Sequence, residues 1–353
     1  MGERLLMKGN EALAEAAIRA GCRYFFGYPI TPQNEVAEYM AKRLPEVGGV
    51  FVQAESEVAA SHMVYGAACA GARVMTSSSS PGISLMQEGI SYIAACELPC
   101  VIVNMVRGGP GLGGIQPAQS DYLQATKGGG HGDYRLVVLG PNSVQELADV
   151  MMDAFDIADK YRNPVMVLGD GVLGQMMEPV EFREGGDAAP MPKPWATTGA
   201  RGRERNIITS LELNPERLEQ LNIRLAEKYE RLCKELVRHE EYMTEDANIV
   251  IVAYGTTARI AKSAVHRARK AGILAGLFRP ITLYPFPLRP LNSLADRVRA
   301  FLVAEMSMGQ MVEDARLAVE GKKPVYFYGR SGGMIPTPEE LFQQVCKIAE
   351  GGV

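Results

Sequence analysis

The chain has 353 residues, 47% of them hydrophobic, enough to bury the cores of two domains or three small ones. Its 37 basic and 41 acidic residues leave a net charge of −4, which argues against a nucleic-acid or membrane-surface partner. No apolar run approaches the ~18 residues of a spanning helix. Met1-Gly2-Glu3-Arg4 leads straight into a polar helix without a signal-peptide pattern, so a cytoplasmic location is expected.

In chain order, residues 10–20 read as an amphipathic helix, with Asn10 as its N-cap and Gly21 as its stop. A short strand, Arg23 to Phe26, follows. Thr31-Pro32 then suits a helix start, with Thr as cap and Pro in the first turn, and that helix runs to about Leu44. Val50 to Gln53 is a second strand, and Ser56 caps an alanine-rich helix through Ala70. Arg73 to Thr76 is a third strand, and Ser77 to Gly82 turns tightly into a helix from Ile83 to Ala95. Cys100 to Val106 is a continuous apolar run, as expected of a central parallel strand. Residues 107–134 form a long loop with nine glycines, and loops of that length in compact domains are usually functional. Leu136 to Leu139, a helix from about Ser143 to Asp159, and Pro164 to Leu168 close the first unit. The strand–helix alternation predicts an α/β fold with a parallel sheet.

Residues 183–206 change character: Gly185-Gly186, Pro190, Pro192, Pro194 and three arginines mark a linker. A charged helix, roughly Asn214 to Thr244, crosses the surface or packs on a partner. A second α/β unit starts at Asn248, with strands at Ile249 to Ala253, Ile273 to Phe278, Ala300 to Ala304 and Pro324 to Tyr328. Helices run from Gly255-Thr256-Thr257 to Ala271 and near Gln310 to Val319. Pro280, Pro285, Pro287 and Pro290 argue against regular structure up to about Leu291. Six cysteines, Cys22, Cys69, Cys96, Cys100, Cys233 and Cys346, contain no C-x₂-C pair. Cluster and zinc sites need tighter sets of four ligands, so these read as scattered buried thiols.

The chemistry-bearing residues sit where apolar runs end: Thr31, Glu57, the serine run 77–80 and Arg107. In an open parallel sheet such strand ends line one crevice, which would then offer a hydroxyl, a carboxylate, backbone N–H groups and a guanidinium. Each has a plainer reading. Glu57 can be a solvated first-turn carboxylate favoured by the helix dipole, although the small apolar residues after it point to burial. Glu55 is its competitor and reads as the exposed one. Arg107 is either a surface residue or a two-pronged clamp for a carboxylate, and Thr31 either a cap or a substrate ligand. Gly169-Asp170-Gly171 is similar to the start of a diphosphate–magnesium motif, but positions 193–200 supply no Asn, so a turn after a strand is the better reading. His62 and His131 have no ligand-spaced partners, and no G-x-S-x-G or P-loop is present.

Gly27-Tyr28-Pro29-Ile30-Thr31-Pro32, Glu55-Ser56-Glu57, Thr76 to Gly82 and Arg107-Gly108-Gly109-Pro110 together resemble the α subunit of the thiamine-diphosphate-dependent 2-oxoacid:ferredoxin oxidoreductases. The resemblance covers nearly the whole chain and includes Val303 to Gln310. Gln116 to Asp121 and Gly128 to Asp133 are most similar to the 2-oxoisovalerate branch, with the 2-oxoglutarate branch close behind. It implies a pyrimidine-binding domain over residues 1–184, a linker and charged helix over 185–246, and a transketolase C-terminal-like domain over 247–353. It implies that Glu57 stands on the aminopyrimidine ring as the catalytic carboxylate. Tyr28, Pro29, Ile30 and Ser79 would also contact the cofactor, and Thr31 and Arg107 would hold the substrate carboxylate. Mg²⁺ and the diphosphate would be held by a β subunit, [4Fe–4S] clusters by a ferredoxin-like subunit, with a γ subunit completing the complex. Coenzyme A and ferredoxin would be its further substrates. The implied reaction is oxidative decarboxylation of a 2-oxoacid to acyl-CoA and CO₂. A non-redox thiamine decarboxylase subunit and a catalytically silent structural subunit are the competing readings.

Overall fold

The computed structural model describes residues 4–183 and 191–351; Met1 to Glu3, Gly185-Gly186, Pro190 and the expected boundary at 184/185 lie outside the described residues. The first unit runs β1 (Arg4–Lys8), α1 (Gly9–Arg19), β2 (Tyr24–Gly27), α2 (Asn34–Arg43), β3 (Val50–Gln53), α3 (Glu57–Cys69), β4 (Val74–Ser78) and α4 (Ser80–Ala95). It continues with β5 (Val101–Val106), α5 (Tyr122–Lys127), β6 (Val137–Leu139), α6 (Val144–Tyr161), β7 (Val165–Asp170), α7 (Gly171–Gln175) and β8 (Met177–Glu181). The rest comprises α8 (Pro215–Glu235), β9 (His239–Tyr242), β10 (Ile249–Val252), α9 (Gly255–Lys270), β11 (Ala275–Pro280), β12 (Thr282–Tyr284), α10 (Leu288–Ala295), β13 (Ala300–Glu305), α11 (Met311–Val319), β14 (Val325–Gly329) and α12 (Pro338–Ala349).

A seven-stranded sheet has the order β12-β6-β7-β5-β4-β2-β3, and all its pairings are parallel except β12 on β6. The chain leaves β2 towards β3 on one side and leaves β4 towards β5 on the other. The β2/β4 boundary is therefore a topological switch point, where the loops diverge and open a crevice at the strands' carboxyl ends. A five-stranded sheet, β14-β13-β10-β11-β9, has parallel pairings except β9 on β11. Period-two alternation explains the apolar runs. In β5, Val101, Val103 and Met105 enter one core while Ile102 and Val106 enter the other. In β10, Val250 and Val252 join the core shared with the first unit, and Ile249 and Ile251 face α9 and α12. That shared core, with Tyr122, Tyr254, Leu283 and Phe286, joins the two units across one apolar seam.

Several expectations are corrected. The N-terminal segment forms strand β1, paired antiparallel with β8 in the register Leu5↔Val180, before α1 begins. A short apolar run between two basic residues, with no local period, becomes a strand only through its distant ladder partner. Asn10 is not a cap: it lies buried in the first turn of α1, and its Nδ2 donates to Pro32 O and Glu35 Oε2, both at 2.9 Å. Thr31 and Pro32 do not start a helix. They form the middle of a turn closed by Gln33 N–H donating to Ile30 O (3.2 Å), with a cis Thr31–Pro32 peptide, and α2 begins at Asn34. The charged helix ends at Glu235 and packs on its own chain through Leu225, Tyr229 and Leu232, while His239–Tyr242 become edge strand β9. The proline-rich stretch is irregular at Ile281 and from Pro285 to Pro287 but regular between and after them. β12 is a three-residue edge strand with its prolines outside it, and Pro290 sits in the first turn of α10, where a missing N–H costs nothing. Cys22, Cys96 and Cys100 are buried, Cys69 and Cys346 half-buried, and Cys233 is exposed.

Candidate active site

At the switch point, Ser56 caps α3, its Oγ accepting from Ala59 N–H (3.2 Å), as the sequence suggests. The cap places Glu57 at the first helical position, where it is 6% exposed. Among the described residues no side chain or backbone N–H donates to the Glu57 carboxylate, although buried carboxylates ordinarily recruit donors. Glu55, two residues earlier, is exposed. The first turn of α4 faces Glu57. A methyl group on Gly82 would stand 2.0 Å from Ser78 Oγ and 2.7 Å from Glu57 Oε1, so only glycine lets the carboxylate lie across this turn.

Arg107 follows β5 and is 8% exposed. Its Nη1 donates to Thr31 O (3.1 Å) and its Nη2 to Leu112 O (3.3 Å). The β5 loop is thereby tied to the β2 loop, bringing together two residues far apart in sequence. No carboxylate of the described residues pairs with this guanidinium, and its Nε is buried without a partner. An uncompensated buried cation is costly, so the geometry leaves room for an external anion. The backbone of Arg107 is fixed separately. Its N–H donates to Ser80 Oγ (3.1 Å), Ser80 Oγ donates to Asp121 Oδ2 (2.7 Å), and Asn104 Nδ2 donates to the same oxygen (2.9 Å). Burial pushes the Asp121 carboxyl up, against the two hydrogen bonds that favour its charged form.

The buried hydroxyls of Thr76, Ser78 and Ser79 also lack partners, as does Gln33 Nε2, whose own Oε1 accepts from Ser77 Oγ. Ser79 is the N-cap of α4, yet its hydroxyl makes no capping bond. Backbone donors contribute less than the sequence suggests, because Ser80 N–H is taken by Asn104 Oδ1 (3.2 Å) and Gly82 N–H by Ser79 O (2.8 Å). Thus the crevice combines a carboxylate lacking a donor, a guanidinium lacking an anion and several orphaned polar atoms. This set fits an aminopyrimidine ring beside a carboxylate substrate. Tyr28, Pro29 and Thr31 are exposed and Ile30 half-buried, forming the rim. Asp170 ends β7 and is the N-cap of α7, its Oδ1 accepting from Val172 N–H (2.9 Å) and Leu173 N–H (3.2 Å), so a helix start stands where a turn was expected.

Ser80, Asp121 and Gln119 fall inside the quoted motifs without a role assigned to any of them, and Asn104 was legible as the lone polar residue inside a buried apolar strand. Gln119 is a hub between the two units. Its Nε2 donates to Tyr254 O (3.0 Å), and its Oε1 accepts from Thr257 Oγ1 (2.8 Å) and Met306 N–H (2.9 Å).

The family model described as pyruvate flavodoxin/ferredoxin oxidoreductase, thiamine diP-bdg, matches residues 15–245. The chain belongs to this family. The model of pyruvate:ferredoxin oxidoreductase core domain II matches residues 247–341. The chain is 52% identical to ketoisovalerate oxidoreductase subunit VorB of Methanothermobacter marburgensis, over 98% of this chain and 97% of that protein. It is 40% identical to 2-oxoglutarate synthase subunit KorA of Methanothermobacter thermautotrophicus, covering 99% of this chain and all of that one (100%). A solved 2-oxoglutarate:ferredoxin oxidoreductase from Magnetococcus marinus, with 2-oxoglutarate, coenzyme A and succinyl-CoA bound, superposes with a TM-score of 0.85 at 27% identity, over 98% of this chain and 65% of that one. A split-gene transketolase (TM-score 0.61, 15% identity) shares the fold. Family membership agrees with the thiamine-binding α/β architecture implied by the crevice motifs. No helix among the described residues is long and apolar enough to cross a membrane.

Proposed function

We propose that this oxidoreductase-family chain is the pyrimidine-side subunit of a 2-oxoacid:ferredoxin oxidoreductase that converts 2-oxoisovalerate, coenzyme A and oxidised ferredoxin to the branched acyl-CoA, CO₂ and reduced ferredoxin. The observation that carries the reading is the pair of buried, uncompensated charges, Glu57 and Arg107, at the β2/β4 switch point. Bound thiamine diphosphate supplies the nucleophilic carbon and the electron sink. Glu57 would accept a hydrogen bond from the pyrimidine ring and so hold the tautomer whose exocyclic nitrogen is basic. Ser79, Tyr28, Pro29 and Ile30 would enclose that ring. Arg107, anchored through Thr31 O and Leu112 O, keeps donors free for the substrate carboxylate, and the Thr31 hydroxyl on the rim adds one more. Fixing that carboxylate before it leaves is an orientation effect.

In this reading residues 1–184 carry the pyrimidine site, 185–246 link, and 247–353 form the transketolase C-terminal-like domain. A β subunit brings the diphosphate and Mg²⁺ site, a ferredoxin-like subunit the [4Fe–4S] clusters, and a γ subunit completes a cytoplasmic complex without nucleic-acid or membrane partners. The 2-oxoglutarate specificity of the KorA relatives gives the second reading. The co-purified complex, assayed with coenzyme A, ferredoxin and a panel of 2-oxoacids, decides. Acyl-CoA formed fastest from 2-oxoisovalerate is the expected result. Preference for 2-oxoglutarate selects the second reading, and free aldehyde without acyl-CoA points to a non-redox decarboxylase.

A further inference from the structure

The glycine-rich loop after Arg107 carries a side chain that the proposed chemistry has not used. Between Gly108 and Gly114 the chain reads Gly-Gly-Pro-Gly-Leu-Gly-Gly, so Leu112 is the one flexible side chain on the loop. It is 84% exposed, and Ile115, just beyond, is 58% exposed. An exposed leucine on a glycine loop would ordinarily be unremarked, but this loop is tightly built. Gly111 and Gly113, on either side of Leu112, have φ of +67° and +57°, values that L side chains rarely adopt. A methyl group on Gly113 would stand 1.9 Å from Gly108 O. Gly114 N–H donates to Gly108 O and Gly108 N–H to Gln116 O, each at 2.9 Å. The loop is also locked to the carboxylate clamp, because Leu112 O accepts from Arg107 Nη2.

We infer that Leu112, supported by Ile115, is the specificity-determining residue for the aliphatic side chain of the 2-oxoacid. The inference rests on the reading of Arg107 as the carboxylate clamp. Because Leu112 O accepts from Arg107 Nη2, a small 2-oxoacid held by that guanidinium would lie beside the loop that carries Leu112. An apolar wall at that place suits a branched aliphatic chain. No Lys or Arg among the described residues other than Arg107 hydrogen-bonds to residues 108–116, so a second carboxylate would find no counter-charge on this loop.

The test uses the assembled complex and three variants. Leu112→Ala is expected to lower kcat/KM for 2-oxoisovalerate about tenfold or more, the range for losing methylene contacts in an apolar pocket, with pyruvate changed less than about twofold on the same scale. Calorimetry with unreactive acids provides a second readout: 3-methylbutanoate should bind about tenfold more weakly to the variant and propanoate equally well. Leu112→Arg should shift preference towards 2-oxoglutarate by supplying the missing cation. Equal losses for both acids, no loss for either, or a Leu112→Ala chain that no longer co-elutes with its partner subunits would overturn the inference; the last would make Leu112 a subunit contact. Arg107→Gln separates the two levels. A raised KM for both acids supports the clamp on which the inference stands, whereas an unchanged KM sinks that reading of the site whatever Leu112 does.

Discussion

The two ends of α4, which crosses between the parallel strands β4 and β5, lie at opposite ends of those strands and treat charge in opposite ways. At its C-terminal end Glu97, Asp159 and Lys228 each have an opposite charge from within the chain. Glu97 faces Lys228 Nζ at 3.4 Å and Arg224 Nε at 3.2 Å. Asp159 is shared by Arg73 (2.8 Å) and Lys193 (2.6 Å). Arg162 stacks over Trp195 at 4.7 Å and donates through Nε to Glu97 O (3.2 Å). At the N-terminal end Glu57 and Arg107 are buried to a similar degree without counter-ions among the described residues, and hydroxyls stand orphaned beside them. Burial alone therefore marks nothing as functional. A buried charge with its partner supplied is a staple between elements, and one without is a candidate for binding a partner from outside the chain.

The largest effect should come from the unpaired guanidinium. Arg107→Lys keeps the charge but loses the planar fork, and losing one or two charge-assisted hydrogen bonds of roughly 1.5–3 kcal/mol each should raise the 2-oxoacid KM about 100-fold. Cofactor occupancy should hold; wild-type KM in steady-state kinetics would move Arg107 into the paired, structural class. Glu57→Gln should cost roughly one to two decades in kcat with little change in KM or melting temperature. Deuterium exchange at the thiamine C2 position reads this directly, and wild-type exchange would shift attention to Glu55.

At the paired end, effects should appear in stability and leave turnover untouched. Lys228→Met should cost less than the roughly 3–5 kcal/mol of breaking a buried pair outright, because Arg224 remains on Glu97. Burial depresses the Lys228 ammonium to about 8, outweighing the attraction of Glu97. Between that value and the ordinary lysine pKa the unfolded chain therefore binds more protons than the folded one. This residue makes stability climb as pH rises through that window. Denaturant titrations should show a shallower climb in Lys228→Met, and an identical slope would mean that Lys228 stays charged. The smallest effects separate two serines at helix N-caps, Ser56 and Ser79. Ser56→Ala removes a working cap and should cost about 1 kcal/mol of stability. Ser79→Ala removes a hydroxyl with no protein partner and should leave the lone chain's stability unchanged or slightly raised, while weakening thiamine diphosphate in the complex. Equal destabilisation by both would erase the distinction drawn between the two classes of polar group.

Most of the fold was legible locally. Strand–helix alternation, the apolar run at Val101–Val106 and the Ser56 cap are short-range signals, since side-chain period and cap chemistry act over a few residues. The site residues were legible as types at strand ends, because in a parallel sheet those ends must meet. Long-range pairing decided the remainder. Arg4–Lys8 and His239–Tyr242 are strands only because distant ladders accept them, and Thr282–Tyr284 joins the first sheet across the chain. Asn10 bonds to the β2 loop instead of capping its own helix. Residue identity placed a carboxylate at Glu57 and a guanidinium at Arg107. Whether each would find a partner depended on which loops the switch point brought together, and only the tertiary structure sets that, because a counter-ion contributed from far along the sequence leaves no local trace.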